Sequence, residues 1–176
     1  MRATRITVAA FAAALLLTAC DDGGGDGGSG SGASKAAGGG CTLDAVGVRV
    51  DASPAPAAGD SGNVTVTITN RGSQCTLNGY PGVDLAAGST SAKVPVDKAS
   101  KAAKLTLAKE ATASFTISYV RGEAGGTKSL AVKTGRFSLL GATADHSFAW
   151  SYGEVALKGD AGTPYASVTA FTQAGD

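Results

Sequence analysis

The sequence predicts an all-β protein, an antiparallel two-sheet immunoglobulin-like sandwich. Apolar and polar residues alternate with a period of two through much of the chain after residue 41. Residues that favour turns interrupt this alternation at short intervals, and no long segment has the 3.6-residue periodicity of a helix. Many short strands joined by frequent turns are typical of two antiparallel sheets whose apolar faces pack together.

The clearest predicted strand spans residues 63–70, NVTVTITN. Its apolar residues Val64, Val66 and Ile68 face one side and three threonines face the other, as in an antiparallel strand with one buried face. The sequence predicts further strands at residues 43–50, 83–86, 93–97, 104–108, 111–120, 128–133, 136–140, 146–152, 154–158 and 165–171. Turn signals separate these strands, and Thr134-Gly135 is expected to form a two-residue hairpin loop.

The first 19 residues have the pattern of a secretory signal peptide. Arg2 and Arg5 precede an uncharged, apolar run of ten residues, Val8 to Leu17. A helix needs about 20 apolar residues to span a bilayer, so this run is too short to cross a membrane. Export through the ordinary secretory route and removal of residues 1–19 are therefore expected.

The signal peptide ends in Leu17-Thr18-Ala19-Cys20, which resembles the lipobox of bacterial lipoproteins. The resemblance implies that the Cys20 thiol receives a diacylglyceryl group and becomes the first mature residue. Two acyl chains hold a protein stably on a membrane. The expected location is the outer face of the cytoplasmic membrane, with the membrane as a partner through the lipid on Cys20. The alternative is a freely secreted protein with an unmodified Cys20.

Residues 20–40 are predicted to form a tether. Half of the residues from 21 to 40 are glycine and none is a large apolar residue. Such a segment buries too little surface to offset the entropy lost on ordering. A flexible chain of this length spans roughly 25 Å on average and at most about 70 Å. The remaining residues, 41–176, are the length of one domain.

The charges of the whole chain nearly cancel, with 15 Lys and Arg against 14 Asp and Glu. This balance argues against a nucleic-acid partner. Charge is uneven only at residues 93–109, where five lysines accompany Asp97 as the one acidic residue. Such a segment could contact anionic lipid headgroups or wall polymers. The commoner interpretation is a solvated loop and a strand edge protected by lysine.

The two cysteines that follow Cys20 are predicted to form a disulfide. Cys41 and Cys75 are an even pair in a chain predicted to reach an oxidising compartment. Zinc ligation is the competing use, but the chain has one histidine and no C-x-x-C pattern. No metal or cofactor is therefore expected.

Residues 70–83, NRGSQCTLNGYPGV, resemble the N-x-G-S-x-C-T-L-x-G-Y-P-G-V signature of a domain of unknown function common in actinobacterial secreted and lipid-anchored proteins. The resemblance extends from Cys41 to about Val120. It implies a β-sandwich with a bridge from Cys41 to Cys75. It implies no established activity and brings no catalytic residues.

The sequence does not predict an enzyme. Gly59-Asp60-Ser61-Gly62 is similar to the nucleophile segment of chymotrypsin-like proteases, but His146 follows the serine in the chain, which is not their order. A turn that opens a strand explains these four residues. Next to His146, Asp145 and Ser147 are expected on the opposite strand face, so the three cannot form a relay.

An aromatic segment, HSFAWSY, is the candidate binding surface. Alternation places His146, Phe148, Trp150 and Tyr152 on one face. Burial in the core is the favoured interpretation, because sandwiches commonly bury a tryptophan between their sheets. An exposed platform that stacks on sugars or a partner is the alternative.

Two functions are compatible with these features. The first is a non-catalytic interaction or binding module of the cell envelope, whose partner is a protein, a glycan or a wall polymer. The second is a structural or accessory envelope spacer without a small-molecule site. An exposed Trp150 would favour the first, and a fully buried aromatic face would favour the second.

Overall fold

The computed structural model describes residues 39–159 and 162–173. The predicted signal peptide, Cys20 and the tether up to residue 38 lie outside the described residues. A 3-10 turn at Leu43–Ala45 precedes the first strand. Within the described residues the strands are β1 Val46–Ser53, β2 Ser61–Asn70, β3 Cys75–Asn78, β4 Gly82–Ala87, β5 Thr90–Lys93, β6 Lys104–Leu107, β7 Thr112–Val120, β8 Ser129–Leu130, β9 Thr134–Ser138, β10 Asp145–Ala149, β11 Val155–Lys158, β12 Thr163–Pro164, β13 Ala166–Val168 and β14 Thr172–Gln173.

Two antiparallel sheets form the body of the domain. In the first sheet the strand order is β1-β2-β7-β13, and β14 also pairs with β7. In the second sheet the order is β10-β9-β4-β5. Two smaller pairings, β12-β11-β8 and β3-β6, lie beside them.

The apolar residues that alternate along β2 and β7 form the core between the two sheets. Val66 lies opposite Phe115 in the first sheet, and both are buried. The Phe115 ring packs edge-on against Phe137 of the second sheet, with the ring centroids 5.3 Å apart. A second edge-on contact joins Phe115 to Phe171 at 5.6 Å. The prediction of an antiparallel all-β sandwich is confirmed.

The segment predicted as a strand at 93–97 is shifted in the structure. The strand β5 ends at Lys93, and the chain then leaves the second sheet. Val94 still donates a hydrogen bond to the Val83 carbonyl, but the Asp97 N–H donates to the carbonyl of Val168 in β13 of the first sheet. Pro95 between them has no N–H to donate, so a continuous ladder is interrupted there.

Other predicted elements also differ. The strand predicted at 43–50 begins at Val46, after the 3-10 turn, and extends to Ser53. The strand predicted at 165–171 is reduced to Ala166–Val168. Thr134-Gly135 is not a hairpin loop, because both residues lie in β9 between β4 and β10. The strand predicted at 128–133 is reduced to Ser129–Leu130. The strand predicted at 146–152 ends at Ala149. None of the helices among the described residues is long and apolar enough to cross a membrane.

Candidate functional site

The disulfide between Cys41 and Cys75 joins the start of the domain to the first residue of β3. The two Cα atoms are 4.9 Å apart and both cysteines are buried. The backbone adds two hydrogen bonds, since Cys41 donates to the Thr76 carbonyl and Thr76 donates to the Gly39 carbonyl, each at 2.9 Å. The predicted disulfide is confirmed, and it fixes the point at which the preceding chain enters the domain.

The first two aromatic side chains of the segment lie on the core-facing side of the second sheet. His146 lies opposite Phe137 on β9, with ring centroids 5.3 Å apart. Phe148 lies opposite Gly135, and its ring fills the space above that glycine. A Cβ at Gly135 would come within 2.3 Å of the ring. His146 and Phe148 are therefore half-buried side chains that close the edge of the core.

The second half of the segment surrounds a buried tryptophan. Trp150 is only 4% exposed, and its Nε1 donates a 2.8 Å hydrogen bond to the Gly153 carbonyl. Its ring packs edge-on against Tyr119 and Tyr152, with centroids 5.1 and 5.0 Å away. The structure thus places Trp150 in the core and Tyr152 half-buried beside it. The four residues do not form an exposed stacking platform.

Tyr119 connects this cluster to the first sheet. Its hydroxyl donates a 2.7 Å hydrogen bond to the Tyr152 carbonyl and accepts one from the Ala55 N–H at 3.3 Å. Burial raises the pKa of the Tyr152 phenol above its ordinary value of 10.0, and the nearby Tyr119 and Asp51 side chains raise it further. The raised pKa of Tyr152 favours the neutral form of its phenol beside Trp150.

A shallow cleft of about 230 Å³ lies at the C-terminal end of β7, where the Tyr165 side chain is on the surface. Tyr165 is 47% exposed, and the Lys158 ammonium group lies 5.1 Å from the centroid of its ring. The hydroxyls of Ser61, Ser118 and Ser167 line the same cleft. An exposed aromatic ring, an ammonium group and three hydroxyls can bind a polyhydroxylated or peptide ligand by stacking and hydrogen bonding.

Sequence reasoning missed Tyr165 as a surface residue, because the segment 165–171 was interpreted only as a strand. The alternation of buried and exposed positions along this segment does indicate that Tyr165 is on the surface. Ala166 and Val168 alternate with Tyr165 and Ser167 and are buried, so Tyr165 and Ser167 must face outwards. The backbone holds Tyr165 in this orientation, because its carbonyl accepts from Val120 N–H and its N–H donates to Ala156.

A larger open groove of about 470 Å³ beside the loop 121–128 is organised by structural contacts. The Arg121 guanidinium at one side donates to the carbonyls of Ala55 and Pro56, each at 2.9 Å. The Glu154 carboxylate accepts a 2.9 Å hydrogen bond from Gly125 N–H. Both charged groups thus hold the loop in place and are not directed at a ligand.

The Gly59-Asp60-Ser61-Gly62 segment forms the turn that leads into β2. Asp60 accepts a 3.0 Å hydrogen bond from Ala57 N–H, and Gly59 has a φ of 88°, which favours glycine. Ser61 begins β2 in the first sheet, whereas His146 belongs to β10 in the second. Within the described ranges, no group of three or more His, Cys, Asp or Glu side chains is arranged to hold a metal ion.

Comparison with known proteins gives one match. Residues 41–172 match the protein family described as a domain of unknown function, DUF4232. The matched range begins at Cys41 of the disulfide and ends at Thr172 in β14. Neither the curated proteins nor the solved structures compared with the chain gave a match.

Proposed function

The chain belongs to the DUF4232 family of domains of unknown function, and from its own residues we propose that it is a membrane-anchored extracytoplasmic lipoprotein. Its sandwich is a non-catalytic binding module of the cell envelope. The anchor is the lipid carried by Cys20, and residues 21–40 are the tether that separates the module from the membrane.

The observation that most directly supports the proposed location outside the cytoplasm is the Cys41–Cys75 disulfide. Disulfides persist in oxidising compartments and are rare in the reducing cytosol. This one is buried and closes a sequence separation of 34 residues, so it restricts the unfolded chain strongly. A domain that depends on such a bridge fits a chain that begins with a secretory leader and a lipobox-like segment.

The Tyr165 cleft supports a binding role. Nearly half of the Tyr165 side chain is exposed, and the surrounding Ser61, Ser118 and Ser167 offer hydroxyls at the same surface. The exposed Tyr165 ring, the Lys158 ammonium group and the neighbouring serines therefore suit the cleft to hold a glycan or peptide segment.

The burial of Trp150 favours a second candidate function, an envelope spacer without a small-molecule site. With Trp150 in the core, the aromatic segment offers no platform, and the cavities of the domain are open and shallow. In this alternative the sandwich holds its neighbours at a fixed distance from the membrane, and the Tyr165 cleft stays unoccupied.

Fractionation of producing cells tests the anchor. The natural chain is expected in the detergent-soluble membrane fraction, and a Cys20→Ala variant is expected to leave it. Equal distribution of the two chains would contradict the anchor.

Binding is tested by titrating the purified mature protein with soluble peptidoglycan fragments and wall polysaccharides, followed by NMR. Tyr165→Ala is expected to abolish the response, whereas the matched control Leu140→Ala, at a side chain that is 71% exposed, should preserve it. A complete lack of response in the natural chain would favour the spacer.

A further inference from the structure

The basic segment, residues 93–109, presents all of its lysine side chains to solvent. The lysines are Lys93, Lys98, Lys101, Lys104 and Lys109. Among the described residues, none of them lies within 4.0 Å of a carboxylate oxygen. The acidic residue of the segment, Asp97, accepts a 2.9 Å hydrogen bond from Ala99 N–H. The segment therefore carries a local excess of positive charge that no ion pair neutralises within this part of the chain.

The loop that carries Lys98 and Lys101 is held in a defined shape. The Tyr80 hydroxyl donates to the Ser100 carbonyl, and the Ser100 hydroxyl donates to the Asp97 carbonyl at 2.8 Å. The Ser100 hydroxyl also accepts a 3.0 Å hydrogen bond from Ala170 N–H. A loop fixed in this way loses little backbone entropy when its lysines contact a surface.

The part of the basic segment that forms β6 and the start of the domain belong to the same small group of strands. Thr76 of β3 pairs with Gly40 on one side and with Thr106 of β6 on the other. Lys104 begins β6 and lies opposite Asn78. Gly40, where the chain enters the domain, therefore lies two strands away from the strand that begins with Lys104. Neighbouring strands are about 4.8 Å apart. A tether that leads from the membrane thus joins the domain two strands away from the part of the basic segment that forms β6.

We propose that the basic segment docks the domain on the anionic lipid headgroups of the membrane that carries its own anchor. This inference rests on the proposed lipid anchor at Cys20. A flexible chain of the length predicted for the tether spans roughly 25 Å on average, and such a chain would keep the lysines at a high effective concentration next to the bilayer. The attraction falls off within a Debye length of about 8 Å at physiological salt, so docking requires close contact and is reversed by salt.

Docking and anchoring can be measured separately in one preparation. The purified mature lipoprotein is reconstituted into vesicles of phosphatidylcholine alone or with 30% phosphatidylglycerol, on the order of the anionic content that attracts basic segments. Co-flotation with the vesicles reports the anchor. Brief acetylation followed by mass spectrometry then reports the exposure of each lysine. Lys128 and Lys133 serve as internal controls, because they lie outside the basic segment.

We expect acetylation of Lys98, Lys101 and Lys104 to fall about threefold or more on the anionic vesicles, and to recover at 1 M salt, where the Debye length is about 3 Å. The triple variant Lys98→Gln, Lys101→Gln, Lys104→Gln should still float but lose all docking, as read by acetylation of Lys93 and Lys109. The matched control Lys128→Gln, Lys133→Gln, Arg136→Gln should keep the protection of Lys98, Lys101 and Lys104.

Two results would overturn the proposal. One is flotation with equal acetylation on both kinds of vesicle, which leaves the anchor intact and removes docking. The other is protection by a dissolved glycerol-phosphate polymer together with none by anionic vesicles, which assigns the basic segment to a wall polymer. Failure of the protein to float with the vesicles would instead contradict the lipid anchor. Without the anchor, the acetylation of the lysines would show no difference between the two kinds of vesicle.

Discussion

The Tyr119 hydroxyl donates a 2.7 Å hydrogen bond to the Tyr152 carbonyl and so links the first sheet to the segment that follows β10 of the second sheet. Tyr119 belongs to β7 of the first sheet, and Tyr152 follows β10 of the second. The same hydroxyl accepts a hydrogen bond from Ala55 N–H, and both aromatic rings pack against Trp150. The buried Tyr119 phenol thus holds in place the aromatic segment that is the candidate binding surface of the sequence analysis.

Tyr119→Phe is expected to lower the free energy of unfolding by about 1–3 kcal/mol, because it leaves a buried carbonyl and N–H without their partner. Urea denaturation of the mature chain, followed by Trp150 fluorescence, measures the change. Tyr165→Phe is the control, since its hydroxyl is on an exposed side chain. Equal stability of the two variants would show that the hydrogen bonds at Tyr119 contribute nothing.

The Tyr152 phenol gives the domain a pH dependence in the alkaline range. Its pKa in the folded protein is raised above 10.0, chiefly by burial. The unfolded state therefore loses its proton first, and the free energy of unfolding should fall as the pH rises above about 10. Tyr152→Phe should reduce this fall, as measured by urea denaturation between pH 8 and about 11. An identical pH profile for the variant and the natural chain would contradict the assignment.

Asn70 is a buried polar residue at the end of β2 whose side chain forms several structural hydrogen bonds. It is 0% exposed, and its Nδ2 donates to the carbonyls of Ser73, Leu107 and Ala108. Asn70→Leu is expected to cost about 2–4 kcal/mol of stability, since it leaves the buried Leu107 carbonyl and the part-buried carbonyls of Ser73 and Ala108 without their donor. Asn78→Leu at an exposed position is the control for the substitution itself. Thermal denaturation that ranks the two variants equally would contradict this role.

Gly135 and Phe148 should show coupled energetics. A Cβ at Gly135 would come within 2.3 Å of the Phe148 ring, so Gly135→Ala is expected to destabilise the domain by about 1–3 kcal/mol through overpacking. Added to Phe148→Ala, the same substitution should cost much less. A double-mutant cycle measures this difference. Additive effects would show that the contact is not the reason for the glycine.

Reduction of the disulfide is expected to lower the free energy of unfolding by roughly 2–5 kcal/mol. The double variant Cys41→Ala, Cys75→Ala should reproduce the effect without reductant, and urea denaturation compares the two. The natural chain treated with an alkylating agent but not with reductant is the control. A domain that keeps its full stability after reduction would contradict the structural role of the bridge.

Local alternation was sufficient to predict the strands whose one face is buried. Residues 63–70 and 111–120 alternate regularly, and the structure pairs them as β2 and β7 at the centre of the first sheet. The prediction failed where pairing depends on distant residues. Thr134-Gly135 has the composition of a hairpin loop, yet it forms part of a central strand because the Phe148 ring fills the space above Gly135.

The surface was less predictable than the core, because it depends on the packing of separate segments. Neighbouring residues in the sequence cannot show that Tyr80 fixes the loop around Ser100, since the contact joins β-strand connections about 20 residues apart. The exposure of Tyr165 is likewise set by the pairing of its backbone with Val120 and Ala156. The disulfide was predictable because the sequence has an even pair of cysteines after Cys20 and a predicted export signal.

The intact mass of the chain extracted from the membranes of producing cells, measured without reductant, tests the central claim most directly. We expect a chain that begins at Cys20, carries a diacylglyceryl group, and lacks the two hydrogens lost on formation of the Cys41–Cys75 disulfide. A chain that carries no lipid, or one with both thiols free, would contradict an oxidised lipoprotein of the cell envelope.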